Sequence, residues 1–348
     1  MSKKTTSPKD RKGVNPQRRP AKTPAESPAE PETPKKEEAP APASSPTTEP
    51  PATTDQPDAK VDRPSQEVLS RLVKHWQQAL ARFVKAQAYL KGRGLWVREL
   101  LVALCIGYSS GKLPQMLPRD GKIRRQLIRM GILNQKANEF FYKRLVIPIV
   151  DENGVLVNVY GRAIDPEAET PHLYLPGPHR GVFNLAGIRE APMVIVTEAL
   201  LDAVSLLVLG FLNTTSSYGA NGFTADHKAA LLRAKTTRVY CAYDADPAGD
   251  HAADQLAHDL AGHGIEVLRV QLPCKDPNDF LKGGGTREQF QALLDQAVVI
   301  PVAGTSSSAG IDETTVPSPA VTQGFEIQLG DRTYTIGAPP LSGFTSTR

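Results

Sequence analysis

From residue 190 onward the chain alternates short apolar β-type runs with helical stretches four times in succession, and few architectures accommodate that order. Met193–Thr197, Leu212–Ser216, Arg238–Tyr243 and Glu266–Leu272 read as strands. Leu200–Leu209, Ala225–Arg233, Ala248–Ala261 and Glu288–Ala297 carry the apolar spacing of helices. A parallel crossover puts its helix over one face of the sheet, so four βα units predict an α/β domain. Its sheet should be mainly parallel, four-stranded and covered on both faces.

In such a sheet the reactive edge lies at the carboxyl ends of the strands. Acids fall there three times. Glu198 ends the first strand, Asp244 and Asp246 end the third, and Asp276 and Asp279 follow the fourth. Parallel strands bring these ends to one rim, where like charges raise one another's pKa unless a cation neutralises them. Carboxylate oxygens are the donors that Mg²⁺ and Mn²⁺ prefer, so a divalent metal site is the economical reading. Taken singly, an acid at a strand end is a helix cap or a solvated charge; three in one sheet make a coincidence of such caps the less economical reading. Asp202, one turn into the first helix, either supports the site or favours the helix N-terminus. The loop Ser216–Gly222, with Gly219 at its centre, is either a phosphate cradle of backbone N–H groups or a plain turn.

Upstream the chain changes character. Residues 65–150 hold sixteen Lys or Arg against four Asp or Glu, a net of +12, whereas residues 151–300 hold eleven against nineteen, a net of −8. A basic half joined to an acidic half is read either as a polyanion on the first and a divalent cation on the second, or as two ordinary solvated surfaces. Ser65 reads as an N-cap for a helix whose apolar residues run from Leu69 to Val84, with Gly92 and Gly94 as its stop. Further helices are expected over Val97–Ile106 and Ile123–Met130. Two apolar runs, Leu145–Val150 and Val155–Tyr160, flank Asn153-Gly154, a hairpin signal. This basic part is therefore a mixed α+β unit.

The ends are of another kind. Residues 1–64 hold fourteen of the 30 prolines and no Phe, Trp, Tyr, Ile or Leu, too little apolar surface to offset ordering entropy. A disordered arm is expected at 1–64, a basic subdomain over 65–189, the acidic α/β domain over 190–300, and a low-complexity tail over 301–348. Within that tail Phe325–Leu329 and Thr333–Ile336 read as an isolated hairpin. No run of apolar residues is long enough for a membrane span and no apolar leader follows Met1, so a cytoplasmic protein without membrane contact is expected. The three cysteines, Cys105, Cys241 and Cys274, lack metal-finger spacing, so no zinc is expected.

Glu198, the Asp244-Ala245-Asp246-Pro247-Ala248-Gly249 segment and Lys275-Asp276-Pro277-Asn278-Asp279-Phe280-Leu281, in that order on those elements, resemble the TOPRIM metal fold of topoisomerases and primases. Upstream, Tyr89–Leu95, Arg144–Ile149, Val159–Arg162 and His172–Pro176 resemble the N-terminal subdomain of the bacterial DnaG-type primase core. The resemblance spans about residues 85–300. It implies a TOPRIM domain behind a basic primase-like subdomain, and metal-dependent synthesis of RNA primers from NTPs on a single-stranded DNA template. It makes Glu198, Asp244 and Asp246 catalytic and Asp276 a further ligand for Mg²⁺ or Mn²⁺. Asp202, Gly219 and Asp279 take supporting places, and Arg144, Arg162 and Arg180 map onto phosphate or template contacts. His172 stands where the family usually has a lysine.

Departures from the family pattern leave other readings open. The zinc ribbon that usually precedes the core has no counterpart, Ala199 and Ala245 replace common glycines, and Asp250 stands where a basic residue is frequent. A compact primase of a plasmid, phage or integrative element, with a replicative helicase as partner, fits this pattern by analogy. A TOPRIM nuclease keeps the same metal chemistry, and a non-catalytic nucleic-acid-binding module keeps only the surface.

Overall fold

The computed structural model of the protein describes residues 63–119, 121–153, 155–302, 325–329 and 332–336. The arm expected at 1–64 falls outside these residues up to position 62, and so does most of the tail expected after 301.

The basic part opens with α1 (Arg63–Arg82) and α2 (Val84–Gly92). Leu72, Val73, Trp76 and Leu80, three and four positions apart, bury one face of α1. The helix begins two residues before Ser65, with Pro64 in its first turn, so Ser65 lies inside the helix rather than capping it. The single helix expected between Ser65 and Gly92 also breaks. Phe83 is extended (φ −100°, ψ 95°) and stacks on Tyr108 with ring centroids 4.5 Å apart, a tertiary contact that no local pattern announces.

α3 (Arg98–Ala103), β1 (Gly107–Ser109), α4 (Leu113–Met116) and α5 (Lys122–Arg129) lead into β2 (Arg144–Val150), β3 (Leu156–Ala163) and β4 (His172–Tyr174). The four strands form one antiparallel sheet in sequence order. The expected hairpin is β2–β3, with Ile147 opposite Tyr160 and an irregularity at Ile149/Val150. Its turn is pinned by Asp151, whose Oδ1 accepts from the N–H groups of Asn153 and Val155 at 2.8 and 3.0 Å.

α6 (Leu185–Ile188) joins this sheet to the second, built from β5 (Met193–Thr197), α7 (Leu200–Val208), β6 (Thr214–Ser216), α8 (Ala225–Arg233), β7 (Arg238–Ala242), α9 (Pro247–Ala261) and β8 (Glu266–Arg269). α10 (Pro277–Lys282), α11 (Arg287–Asp295) and β9 (Val298–Val299) follow, and β10 (Phe325–Leu329) pairs antiparallel with β11 (Arg332–Ile336) as the expected hairpin. The second sheet runs β6-β5-β7-β8-β9. Its first four strands are parallel, as expected. β9 adds a fifth strand, antiparallel to β8, from a Val-Val pair too short to carry a strand signal.

Alternation along the strands sends side chains to two cores. Val194, Val196, Val239 and Cys241 face Leu231, Leu256 and Leu260 of α8 and α9. Ile195, Tyr240 and Leu268 face Leu206 of α7 and Phe290 of α11. A third core crosses from one sheet to the other: Leu200, Leu201, Val204 and Leu207 of α7 pack with Leu90, Leu145, Ile147 and Tyr160 of the basic part. α7 is apolar nearly all round because it is sandwiched between two sheets. No described helix is long and apolar enough to cross a membrane.

Candidate active site

β5, β7 and β8 are neighbours in the sheet, so the acids that follow them share one rim. Glu198 comes directly after β5 and is half-buried. Partial desolvation, then the charges of Asp244 and Asp246, push its pKa above the usual carboxylate range, and the backbone N–H of Asp244 partly offsets this. Asp244 is raised in the same way by burial and by Asp276. Lys275 opposes the shift, with its Nζ 3.5 Å from Asp244 Oδ2.

Asp246 and Asp276 are built alike. Each precedes a proline and caps the helix that starts there. Asp246 Oδ1 accepts from the Gly249 N–H at 2.9 Å, and Asp276 Oδ1 from the Asp279 N–H at 2.7 Å. The cap fixes the aspartate backbone and occupies one carboxylate oxygen, leaving the second for the rim. Gly249 is required by a close approach: a Cβ there would sit 2.2 Å from the Asp244 carbonyl oxygen. The turn of Asp244–Gly249 folds back on itself, which puts both aspartates of the motif at the strand end.

Asp202 is buried on α7 and faces this rim. Its Oδ1 accepts from the Asn278 N–H at 3.3 Å, and burial followed by the Asp276 and Asp244 charges holds its pKa well above the ordinary value. Asp279 turns away, toward Lys282 one turn on at 3.0 Å. Among the described residues no group of three or more His, Cys, Asp or Glu is gathered closely enough to grip a metal ion. The acids share a rim but are held apart on caps and backbone. Their chemistry fits a hard divalent cation, since every donor is a carboxylate oxygen and their mutual repulsion is relieved only by positive charge.

Four N–H groups of the loop after β6 are committed to the protein's own backbone. The N–H groups of Ser217, Tyr218, Gly219 and Gly222 donate to Thr197, Gly222, Glu198 and Gly219 carbonyls at 2.9, 3.2, 3.1 and 2.9 Å. Gly219 thereby ties the loop to the backbone of Glu198.

The three arginines differ. Arg162 on β3 donates through Nε to the Tyr89 hydroxyl at 3.1 Å and through Nη1 to Nε2 of His172, its register partner on β4. His172 Nδ1 meets the Tyr160 hydroxyl at 2.9 Å. Partial desolvation and the charges of Arg162 and Arg93 pull the His172 pKa down to about 4, so this histidine is neutral at pH 7 and acts as an acceptor for Arg162. Arg144 donates to the carbonyls of Tyr142 and Thr170 at 3.1 and 2.8 Å, which binds the edge of the hairpin. Arg180 is exposed beside the Tyr218 ring, whose hydroxyl donates to the Arg180 carbonyl.

Sequence reasoning missed Arg269. It lies buried at the end of β8, and its guanidinium donates to the carbonyls of Tyr243 and Asp244 at 2.8 and 2.7 Å. Nε and Nη2 also meet Asp250 Oδ1 at 3.0 and 2.8 Å. One side chain thus holds the β7 terminus against the first turn of α9. Asp250, which looked like a departure from the pattern, is the counter-ion of this clamp. An arginine inside the apolar run Val267–Val270 was the available signal. Asn278 was missed as well: its side chain bonds Arg93 and Ser205, joining α10 to the basic part.

The acidic parallel-sheet unit and the basic antiparallel-sheet unit are each similar to a part of DnaG-type primases. Comparison with known proteins agrees on both parts. Residues 75–186 match the family described as DNA primase catalytic core, N-terminal domain, and residues 195–281 match the Toprim-like family. The DNA primase of Clostridium acetobutylicum is 29% identical over 233 residues, which cover 62% of this chain and 38% of that protein. The chain thus spans well under half of that relative's length. A solved DnaG catalytic core superposes with a TM-score of 0.59 at 28% identity, over 67% of this chain and 80% of its own. A DnaG primase catalytic domain bound to single-stranded DNA gives 0.59 at 27%, over 67% and 78%.

Proposed function

We propose that this chain synthesises short RNA primers from NTPs on a single-stranded DNA template, with Mg²⁺ or Mn²⁺ held by Glu198, Asp244, Asp246 and Asp276. The observation that carries this reading is the joint between the two halves. α7, which follows Glu198, shares one hydrophobic core with the basic subdomain, and Arg93 of that subdomain bonds Asn278, two residues after Asp276, which supports a template strand passing from the basic part to the rim. A divalent ion bound there would supply charge neutralisation for the nucleotide's phosphates and for the attacking 3′-hydroxyl.

The protein's own groups do the rest. The Asp246 and Asp276 caps keep two carboxylates in place at no rotamer cost when the substrate arrives. Lys275, beside Asp244, offsets part of the rim's negative charge before any ion binds. Asp202, buried and raised, holds Asn278 and thereby α10. Template phosphates are met by Arg162 and Arg180, and by Lys122, Arg125 and Arg129, which lie three and four residues apart on one exposed face of α5.

The test is primer synthesis from labelled NTPs on single-stranded DNA, with Mg²⁺, with Mn²⁺ and in excess EDTA. Metal-dependent, template-dependent products support the reading. Template degradation in place of synthesis establishes a nuclease, and binding without either establishes a non-catalytic module.

A further inference from the structure

The reading above leaves unused an aromatic seam across the joint between the two sheets. It runs from His172 and Tyr160 through Tyr174, His179 and Tyr218 to His227, with centroids of neighbouring rings 4.6–5.8 Å apart. Most of these contacts are tilted or edge-on, as in an ordinary core. One is not. His179 lies flat against Tyr218, centroids 4.7 Å and planes 10° apart, and His179 is exposed. Tyr218 covers the inner face of the imidazole and Tyr174 meets it edge-on at 4.6 Å, which leaves the outer face to solvent.

The Tyr218 half of the stack is anchored at both ends of its side chain and loop. The Tyr218 hydroxyl donates to the carbonyls of Arg180 and Gly181, at 2.5 and 3.0 Å, the two residues that follow His179. The Gly181 N–H donates in turn to Asp226 Oδ2 at 2.6 Å. On the other strand of the joint, the Ser217 and Gly219 N–H groups donate to the carbonyls of Thr197 and Glu198. The ring pair is therefore fixed to the backbone of a rim acid, with the Arg180 cation next in sequence. A flat, preorganised π surface loses little entropy when a second flat surface lies on it. Every nucleobase offers such a face, and the neighbouring cation suits the phosphate that accompanies it.

The geometry points to the outer face of His179, backed by Tyr218, as a stacking site for one nucleobase, that of the incoming nucleotide or that of the template strand. This site rests on the nucleotidyl-transfer reading for its ligand class. It differs from the basic surface in kind, because stacking on a ring pair is far less salt-sensitive than contact with phosphate.

The full-length protein can be tested with 2-aminopurine, whose fluorescence is quenched on stacking. One arm uses 2-aminopurine riboside triphosphate with MgCl₂, the other a single-stranded DNA oligonucleotide carrying one 2-aminopurine. Quenching by the wild type in either arm, lost in His179→Ala with affinity about tenfold weaker and restored in His179→Phe, establishes the site, and the arm identifies the source of the base. If the wild type binds a probe by anisotropy and His179→Ala quenches it equally, the stacking site is wrong and the primase reading stands. The site is also wrong if His179→Ala only lowers the Tm while both variants keep wild-type quenching, since the ring is then packing alone. Failure of the wild type to bind either probe overturns the stacking site and the nucleotidyl-transfer reading together.

Discussion

Arg93 and Asn278 hydrogen-bond each other in both directions across 185 positions of chain: Arg93 Nη1 donates to Asn278 Oδ1 at 2.7 Å, and Asn278 Nδ2 donates to the Arg93 carbonyl at 2.9 Å. Asn278 is buried, and Arg93 also lies over the Tyr89 ring at 4.9 Å. Tyr89 in turn accepts from Arg162, so the guanidinium of β3 is linked to the helix that begins at Asp276. Arg93→Ala leaves the buried Asn278 Oδ1 without its donor, and Asn278→Ala removes both bonds together with the one to Ser205. Arg93→Ala and Asn278→Ala should each cost about 1–3 kcal/mol in urea unfolding, and the double variant should cost less than their sum by about 1 kcal/mol. Full additivity would show that the pair is incidental.

Asp244→Asn removes a carboxylate from the rim while keeping its shape. Stability should stay within about 0.5 kcal/mol of wild type, because the loss of the Lys275 pair is offset by relief of repulsion from Asp246 and Asp276. Primer synthesis should fall at least about 100-fold. Wild-type synthesis by a folded Asp244→Asn protein would exclude the proposed site.

Arg269→Lys keeps the charge but cannot span Tyr243, Asp244 and Asp250 at once, since an ammonium lacks the planar fork. Chemical denaturation should show a loss of about 2–3 kcal/mol, with two carbonyls left poorly paired. The Mg²⁺ concentration needed for half-maximal synthesis should also rise, because the Asp244–Asp246 turn loosens. An unchanged Mg²⁺ requirement would confine Arg269 to stability.

Replacing Lys122, Arg125 and Arg129 together by Gln should weaken binding of single-stranded DNA uniformly across sequences. The slope of log affinity against log salt should drop by about 2 if all three meet phosphates. A slope equal to wild type, read by anisotropy titrations at several salt concentrations, would place the template elsewhere on the basic part.

His227 gives a pH dependence. It is buried; its Nδ1 accepts from the Thr224 N–H at 3.1 Å, so Nε2 carries the proton that goes to the Ser216 carbonyl at 2.9 Å. Burial pulls its pKa down to about 4 from the model-peptide value of 6.5. Between those values the unfolded chain binds the extra proton and the folded one does not, so stability falls as pH drops from 6.5 toward 4. Over that window His227 should contribute a loss on the order of 3 kcal/mol, absent from His227→Gln, as read by Tm against pH. A parallel pH profile in that variant would assign the acid sensitivity to other groups.

The sequence by itself determined the acidic domain almost completely. β5 and α8 coincide with their expected ranges, because period-2 and period-3.6 apolar patterns are local properties and parallel connectivity then dictates which strand ends meet. That is also why Glu198, Asp244, Asp246 and Asp276 could be assigned to one rim before any coordinates. Tertiary structure alone decided the rest. Phe83 breaks a helix because Tyr108 stacks on it, β9 exists because β8 offers an open edge, and Asp250 is explained only by a buried Arg269 from the next strand. Ser217 and Gly219 donate their amides to Thr197 and Glu198, a tether that the glycine-rich segment by itself does not announce. Patterns of spacing encode which face a residue occupies; they do not encode which distant donor reaches it, and the Arg93–Asn278 bond, the His172–Arg162 contact and the His179–Tyr218 stack all depend on partners brought together only by folding.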